Sequence, residues 1–323
     1  MLFRSHQIFQ SKESSVLALT GNIARTAANV DPALAVALIC EIDLKFAESA
    51  IHSLFMWLSH SDTIPASALR ENHVRLLTRK LAKLQRLDDY WVRAFLKRAM
   101  NLVPDAVLRL IMVRIRAARR CKDWSYRAIE REYLNQEAEA KSNGLGLLEQ
   151  PGGAGRLCLL LDNALKSVIS GQGNTEIGEV IVALCGRFDI RLLDTLLEWM
   201  TPGAIAHVEV VAAVLRCAQS TLLYDFPQFI RDSFEIAELV GEVATSKIQS
   251  ALIGSTLSGA RSTSVGEPFP EDVRLRDYAQ RMLAGLSRTD PAHAMFAVLL
   301  RAAEQGIERR RRESEAMNAQ DEE

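Results

Sequence analysis

Aromatic residues make up only 6% of this 323-residue chain, and its cysteines number five. Cys40, Cys121, Cys158, Cys185 and Cys217 are odd in count, widely spread and free of any CxxC pair. That pattern excludes a secreted disulfide framework and a zinc site. Each thiol has apolar neighbours, as buried free cysteines do, so a reducing cytoplasm is the expected setting. Long apolar runs are missing too. Apolar stretches such as residues 33–40 and 157–161 fall far short of the roughly 18–20 residues that cross a bilayer. The opening MLFRSHQIFQSKESS carries a single Arg and no apolar stretch, unlike a signal peptide. No membrane partner is expected.

Catalytic signatures are absent as well. No GxSxG, HExxH or kinase-type set occurs. Gly152-Gly153-Ala154-Gly155 opens a helical stretch, but Arg156 and Leu157 stand where a phosphate loop needs Lys and then Ser or Thr. Gly171-Gln172-Gly173 lacks the third glycine of a dinucleotide fingerprint. Loop flexibility is the plain expectation for both. Glu48, His52 and His60 lie four and eight residues apart on one expected helix, and eight residues span about 12 Å, too far for one metal ion. His73, His207 and His293 stand alone. No cofactor and no enzymatic activity are expected.

What the chain does have is helical periodicity. Apolar residues recur at three- and four-residue spacing from Val16 to Leu300. Helices are expected near 12–28, 32–59, 65–85, 88–101, 104–121 and 124–141. More follow near 156–170, 176–187, 190–200, 203–223, 226–253, 271–286 and 291–315. The stretch 208–214 has strand composition, yet its surroundings favour helix. Asp31-Pro32, Pro104-Asp105, Thr201-Pro202 and Asp290-Pro291 read as helix starts. Three of them place a capping side chain before a proline whose missing N–H costs nothing in the first turn. The segments DPALAVALICEI, VPDAVLRLIMVRI and DPAHAMFAVLLRA look alike and suggest a degenerate helical repeat. Residues 142–155 and 255–270 interrupt the pattern, the latter because Pro268 and Pro270 oppose helix. The expected organisation is a helical-repeat half over 1–141, a mobile Gly-rich loop or boundary at 142–155, a second half over 156–308, and a frayed charged tail over 309–323.

Charge is distributed unevenly. Residues 70–131 hold 17 Lys and Arg against six Asp and Glu, although the whole chain has a formal net charge of −1. Arg75, Arg79, Lys83 and Arg86 follow helical spacing, and Arg109, Arg116 and Arg120 repeat it on a second helix. With Arg119 and Lys122, they form two basic ridges suited to a phosphate backbone. Tyr90, Trp91, Trp124 and Tyr126 fall in the same band and could stack on bases. The bland alternative is a solvated face whose charges pair with the acidic C-terminal half. Self-association through those opposite charges is a related expectation.

Read together, the helix starts and repeats resemble HEAT or armadillo-type α-solenoids. Residues 259–304, GARSTSVGEPFPEDVRLRDYAQRMLAGLSRTDPAHAMFAVLLRAAE, are similar to the closing segment of helical-repeat regions in uncharacterised bacterial proteins. Some of those resemble the C-terminal sensor halves of signal-transduction ATPases with numerous domains, which act in antiviral defence. No ATPase module is present here, so the resemblance implies a recognition or scaffold role. The expected fold is all-α, a right-handed α-solenoid of degenerate HEAT-like hairpins. The first functional expectation is a bacterial cytoplasmic module binding protein partners. The second is nucleic-acid binding through the basic face of 70–131.

Overall fold

The computed structural model describes residues 26–45, 48–87, 89–120, 126–129, 144–169, 176–258, 263–264 and 267–321. Every regular element among them is a helix, and none of these helices is long and apolar enough to cross a membrane. Packing divides the chain into two compact units, residues 1–160 with 179–187, and residues 161–178 with 188–323.

The first unit contains α1 (Pro32–Glu41), α2 (Glu48–Ser59), α3 (Glu71–Leu81), α4 (Tyr90–Leu102) and α5 (Pro104–Arg120). Asp31 caps α1 by accepting from the backbone N–H groups of Ala33 and Leu34 at 3.0 and 3.1 Å, with Pro32 in the first turn. The expected single helix over 32–59 is broken after Glu41. Ile42 turns extended, and Asp43 accepts from the Lys45 N–H, a local bond that competes with helix. Likewise α3 starts at Glu71 rather than near residue 65.

Helices two apart in sequence pack together: α1 with α3, α2 with α4, and α3 with α5. For α2 and α4 the direction is explicit. His52 meets Asp89 at their N-terminal ends, Phe55 meets Phe95 edge-on in the middle, and Leu58 meets Arg98 towards the C-terminal end. The two helices therefore run parallel.

Residues 144–150 form a packed turn. Leu145 and Leu147 are buried, the Leu145 N–H donates to the Ala183 carbonyl, and Leu147–Glu149 make one 3-10 turn. Gly153 opens α6 (Gly153–Ile169) with no room for a Cβ, which would collide with the Leu147 carbonyl. Close packing, and not flexibility, requires that glycine. Arg156 is held by Asp105 at 2.7 Å and by the Pro151 carbonyl, so it is not poised for a phosphate. Gly171 to Gly173 lie outside the described residues.

After α7 (Ile177–Cys185), the second unit continues with α8 (Ile190–Met200), α9 (Ile205–Leu215), the short α10 (Leu222–Asp225) and α11 (Pro227–Val240). It closes with α12 (Glu242–Leu257), α13 (Pro270–Gly285) and α14 (Pro291–Asp321). The stretch 208–214 lies within α9, whose Val208, Val210, Val211, Ala212, Val214 and Leu215 are all buried. A helix apolar on every side belongs in a core, and α9 is packed by α8 and α12. Thr201-Pro202 does not start it. Thr201 instead terminates α8, and α9 begins after Ala204.

The expected helix over 226–253 splits at Gly241, whose φ of 126° lies outside what other residues readily adopt. Pro270, expected to oppose helix, is the first residue of α13, where its lost N–H has no cost. Residues 309–321, expected to fray, continue α14. Arg310 pairs with Glu313, Arg311 with Glu308 and Glu315, and Arg312 with Glu308, spacings that support an exposed helix.

Candidate nucleic-acid interface

Helix α3 buries Val74, Leu77, Thr78 and Leu81, a single stripe at three- and four-residue spacing. That stripe leaves Arg79 exposed, with Lys83 and Arg86 exposed in the turn that follows. Arg75 is different. Its guanidinium binds the Glu71 carboxylate at 2.5 and 2.7 Å one turn earlier, so part of its charge is already met. On α5, Val107, Leu110, Ile111 and Ile115 are buried, which turns Arg109, Arg116 and Arg120 outward. Among the described residues no carboxylate lies within ion-pair distance of Arg79, Lys83, Arg86, Arg109, Arg116 or Arg120. The side chain of Arg119, and the whole of Lys122, lie outside the described residues.

Arg114 brings the two ridges together. It is fully buried, and its Nε donates to the Ala128 carbonyl at 2.8 Å. Nη1 donates to the Leu84 carbonyl, and Nη2 donates to those of Gln85 and Arg127 at 3.1 and 2.7 Å. The guanidinium also lies over the Tyr126 ring, 4.6 Å from its centre. Leu84 and Gln85 fall between Lys83 and Arg86. The C-terminal half of α5, which carries Arg116 and Arg120, is thereby fixed against the turn after α3, which carries Lys83 and Arg86.

Two further basic residues of the band point inward in the same manner. Lys80 donates to the carbonyls of Cys40 and Ile42 at 2.5 and 2.6 Å, at the end of α1. Arg98 donates to Leu58 at 2.9 Å and to Ile64, beyond the end of α2. Cations suit helix C-termini because the last carbonyls lack partners and carry partial negative charge. Burial holds the Lys80 ammonium below its usual pKa and lowers that of Arg98. It also pushes the Cys40 thiol up to about 12. Within the band's 17 Lys and Arg, local composition does not set Lys80, Arg98 and Arg114 apart from the outward charges. The signal that separates Arg114 is its register, three and seven residues after the buried Ile111 and Val107.

The aromatic residues of the band divide similarly. Trp91 is half-buried, its ring 4.9 Å from that of His60 and 6.3 Å from that of His52. The two histidines once weighed with Glu48 as metal ligands thus sit around an indole, and His52 Nδ1 lies 2.9 Å from Asp89. Tyr126 is covered by Arg114, and Trp124 lies outside the described residues. Tyr90 alone is exposed, at 63%.

Among the described residues no group of three or more His, Cys, Asp or Glu is placed to hold a metal ion. Among the described residues Cys40, Cys158, Cys185 and Cys217 are thiols and form no disulfide with one another. No family model matches the chain, and no curated protein or solved structure matches it either.

Proposed function

We propose that this chain is a non-enzymatic recognition module, an α-solenoid of degenerate helical hairpins, whose first unit binds nucleic acid through the sugar–phosphate backbone. The observation that best supports this reading is the junction Arg114 makes between the end of α5 and the turn after α3, where Lys83, Arg86, Arg116 and Arg120 are exposed and, among the described residues, have no carboxylate partner. Cations that merely solvate a surface have no need of a shared buried anchor. The packing of helices two apart, parallel where α2 meets α4, supports the solenoid, because stacked hairpins repeat that contact from one to the next.

Binding of labelled oligonucleotides by fluorescence anisotropy across a salt series tests the reading. Each phosphate neutralised contributes about 0.7–0.9 to the slope of log affinity against log salt. Lys83→Glu, Arg86→Glu and Arg116→Glu together should therefore weaken binding and flatten that slope by about 2–3. Equal affinity in parent and triple variant would remove this junction from consideration.

A protein partner is the second reading, favoured by the corner where α11 meets α12. Leu239 is 90% exposed and Val243 63% exposed there, beside the exposed Glu238 and Glu242. Oligonucleotides left unbound at low salt would favour this alternative, and salt-dependent binding lost in the triple variant would displace it.

A further inference from the structure

Resting on the nucleic-acid reading, a narrower assignment follows from Tyr90. Among the described residues it is the only exposed Phe, Tyr or Trp. Its position is fixed from three sides. Asp89 caps α4, its Oδ1 accepting from the N–H groups of Trp91 and Val92 at 2.7 and 3.1 Å. The other carboxylate oxygen lies 2.9 Å from His52. The Tyr90 ring stands edge-on to Trp91, with centres 4.9 Å apart and planes at 79°, and Trp91 is itself wedged against His60. This phenol is backed by a rigid stack and still shows most of its surface to solvent.

Its place in the unit matters as much. Tyr90 opens α4 just after the turn that carries Lys83 and Arg86. Tyr90 lies four positions after Arg86, so their Cα atoms are at most about 15 Å apart. The remaining cations, Arg116 and Arg120, stand in the last turns of α5, which Arg114 joins to that same turn.

Cations grip the phosphates of paired and unpaired strands alike. A ring does not, because bases within a duplex are stacked on one another and only an unpaired base offers its face. We infer that the ligand of this junction is single-stranded nucleic acid, one base stacking on Tyr90 while flanking phosphates engage Lys83, Arg86, Arg116 and Arg120. A tyrosine already held by its neighbours loses little freedom on binding, which favours stacking.

The test compares, at one low salt concentration, the full chain's affinity for oligo(dT), oligo(U) and a blunt DNA duplex of matched phosphate count. Single strands should bind at least about tenfold more tightly than the duplex. Tyr90→Ala should weaken single-strand binding about five- to a hundredfold and leave duplex binding and the salt slope unchanged, while Tyr90→Phe should bind as the parent does. Unchanged duplex binding also shows that the alanine variant remains folded. Equal or tighter duplex binding, or a Tyr90→Ala variant indistinguishable from the parent, overturns the inference even where the salt-dependent, charge-reversible binding holds. Failure of every probe to bind overturns the nucleic-acid reading and this assignment together.

Discussion

Arg114 has four backbone carbonyls as hydrogen-bond acceptors, contributed by the turn after α3 and by residues 127 and 128. A planar fork of donors suits that task, and a lysine ammonium with three donors on a point charge does not. Removing the fork strands several buried carbonyls, each costing about 1–3 kcal/mol when left without a partner. Arg114→Met should therefore lower unfolding stability by at least about 3 kcal/mol, and Arg114→Lys should recover only part of it, as read from urea denaturation. A loss below about 1 kcal/mol would mean that water replaces the guanidinium and that the clamp is dispensable. In the run RIRAARR, local composition makes Arg114, Arg116 and Arg120 equivalent. Their difference emerges only from phase against the apolar stripe, and even that phase does not disclose which carbonyls wait inside. Tyr90 and Trp91 make the same point, as adjacent aromatics on one helix with one outside and one packed among histidines.

Periodicity locates helices well and their ends poorly. The all-helical content was legible because the apolar stripes persist through nearly every described segment. Interruptions were harder to read when they relied on tertiary context. Asp43 can break a helix after Glu41 once its side chain accepts from the Lys45 N–H. Thr201-Pro202 has the local chemistry of a start yet sits after one. Close crossings also leave no periodic trace. Gly306 faces Asp272 where α14 packs on α13, and a Cβ there would overlap that buried carboxylate. Gly306→Ala gains helix propensity of about 1 kcal/mol, but the clash should outweigh it. Gly306→Val should cost more, about 1–3 kcal/mol. Thermal melts of the two variants check this order, and an alanine variant more stable than the parent would show that the helices separate freely.

At the scale of the molecule, the near-neutral total conceals a band of 17 Lys and Arg against six Asp and Glu over residues 70–131. That imbalance was evident from the sequence, and so was its compatibility with a polyanion. What the sequence could not reveal is that the band does two jobs. Lys80, Arg98 and Arg114 are turned in, on carbonyls at the ends of helices or in the turns beyond them. Arg79, Lys83, Arg86, Arg109, Arg116 and Arg120 are turned out. In the described part of the first unit, one kind of side chain thus both binds the frame and lines the surface.

These two populations meet dissolved ions on different terms. The outward cations lie in water, where the screening length shrinks from about 10 Å at 0.1 M salt to about 3 Å at 1 M. The inward ones face dipoles at hydrogen-bond distance, with no intervening solvent for ions to occupy. Raising salt should consequently release a bound polyanion without loosening the frame that displays its site, and the melting temperature should stay nearly constant through the range in which the ligand departs. A melting temperature that falls in step with ligand release would mean that the inner contacts are open to solvent. If the proposed function holds, contacts of charge against dipole, such as those of Lys80, Arg98 and Arg114, would give the unit a frame that ionic strength leaves in place while it releases the ligand.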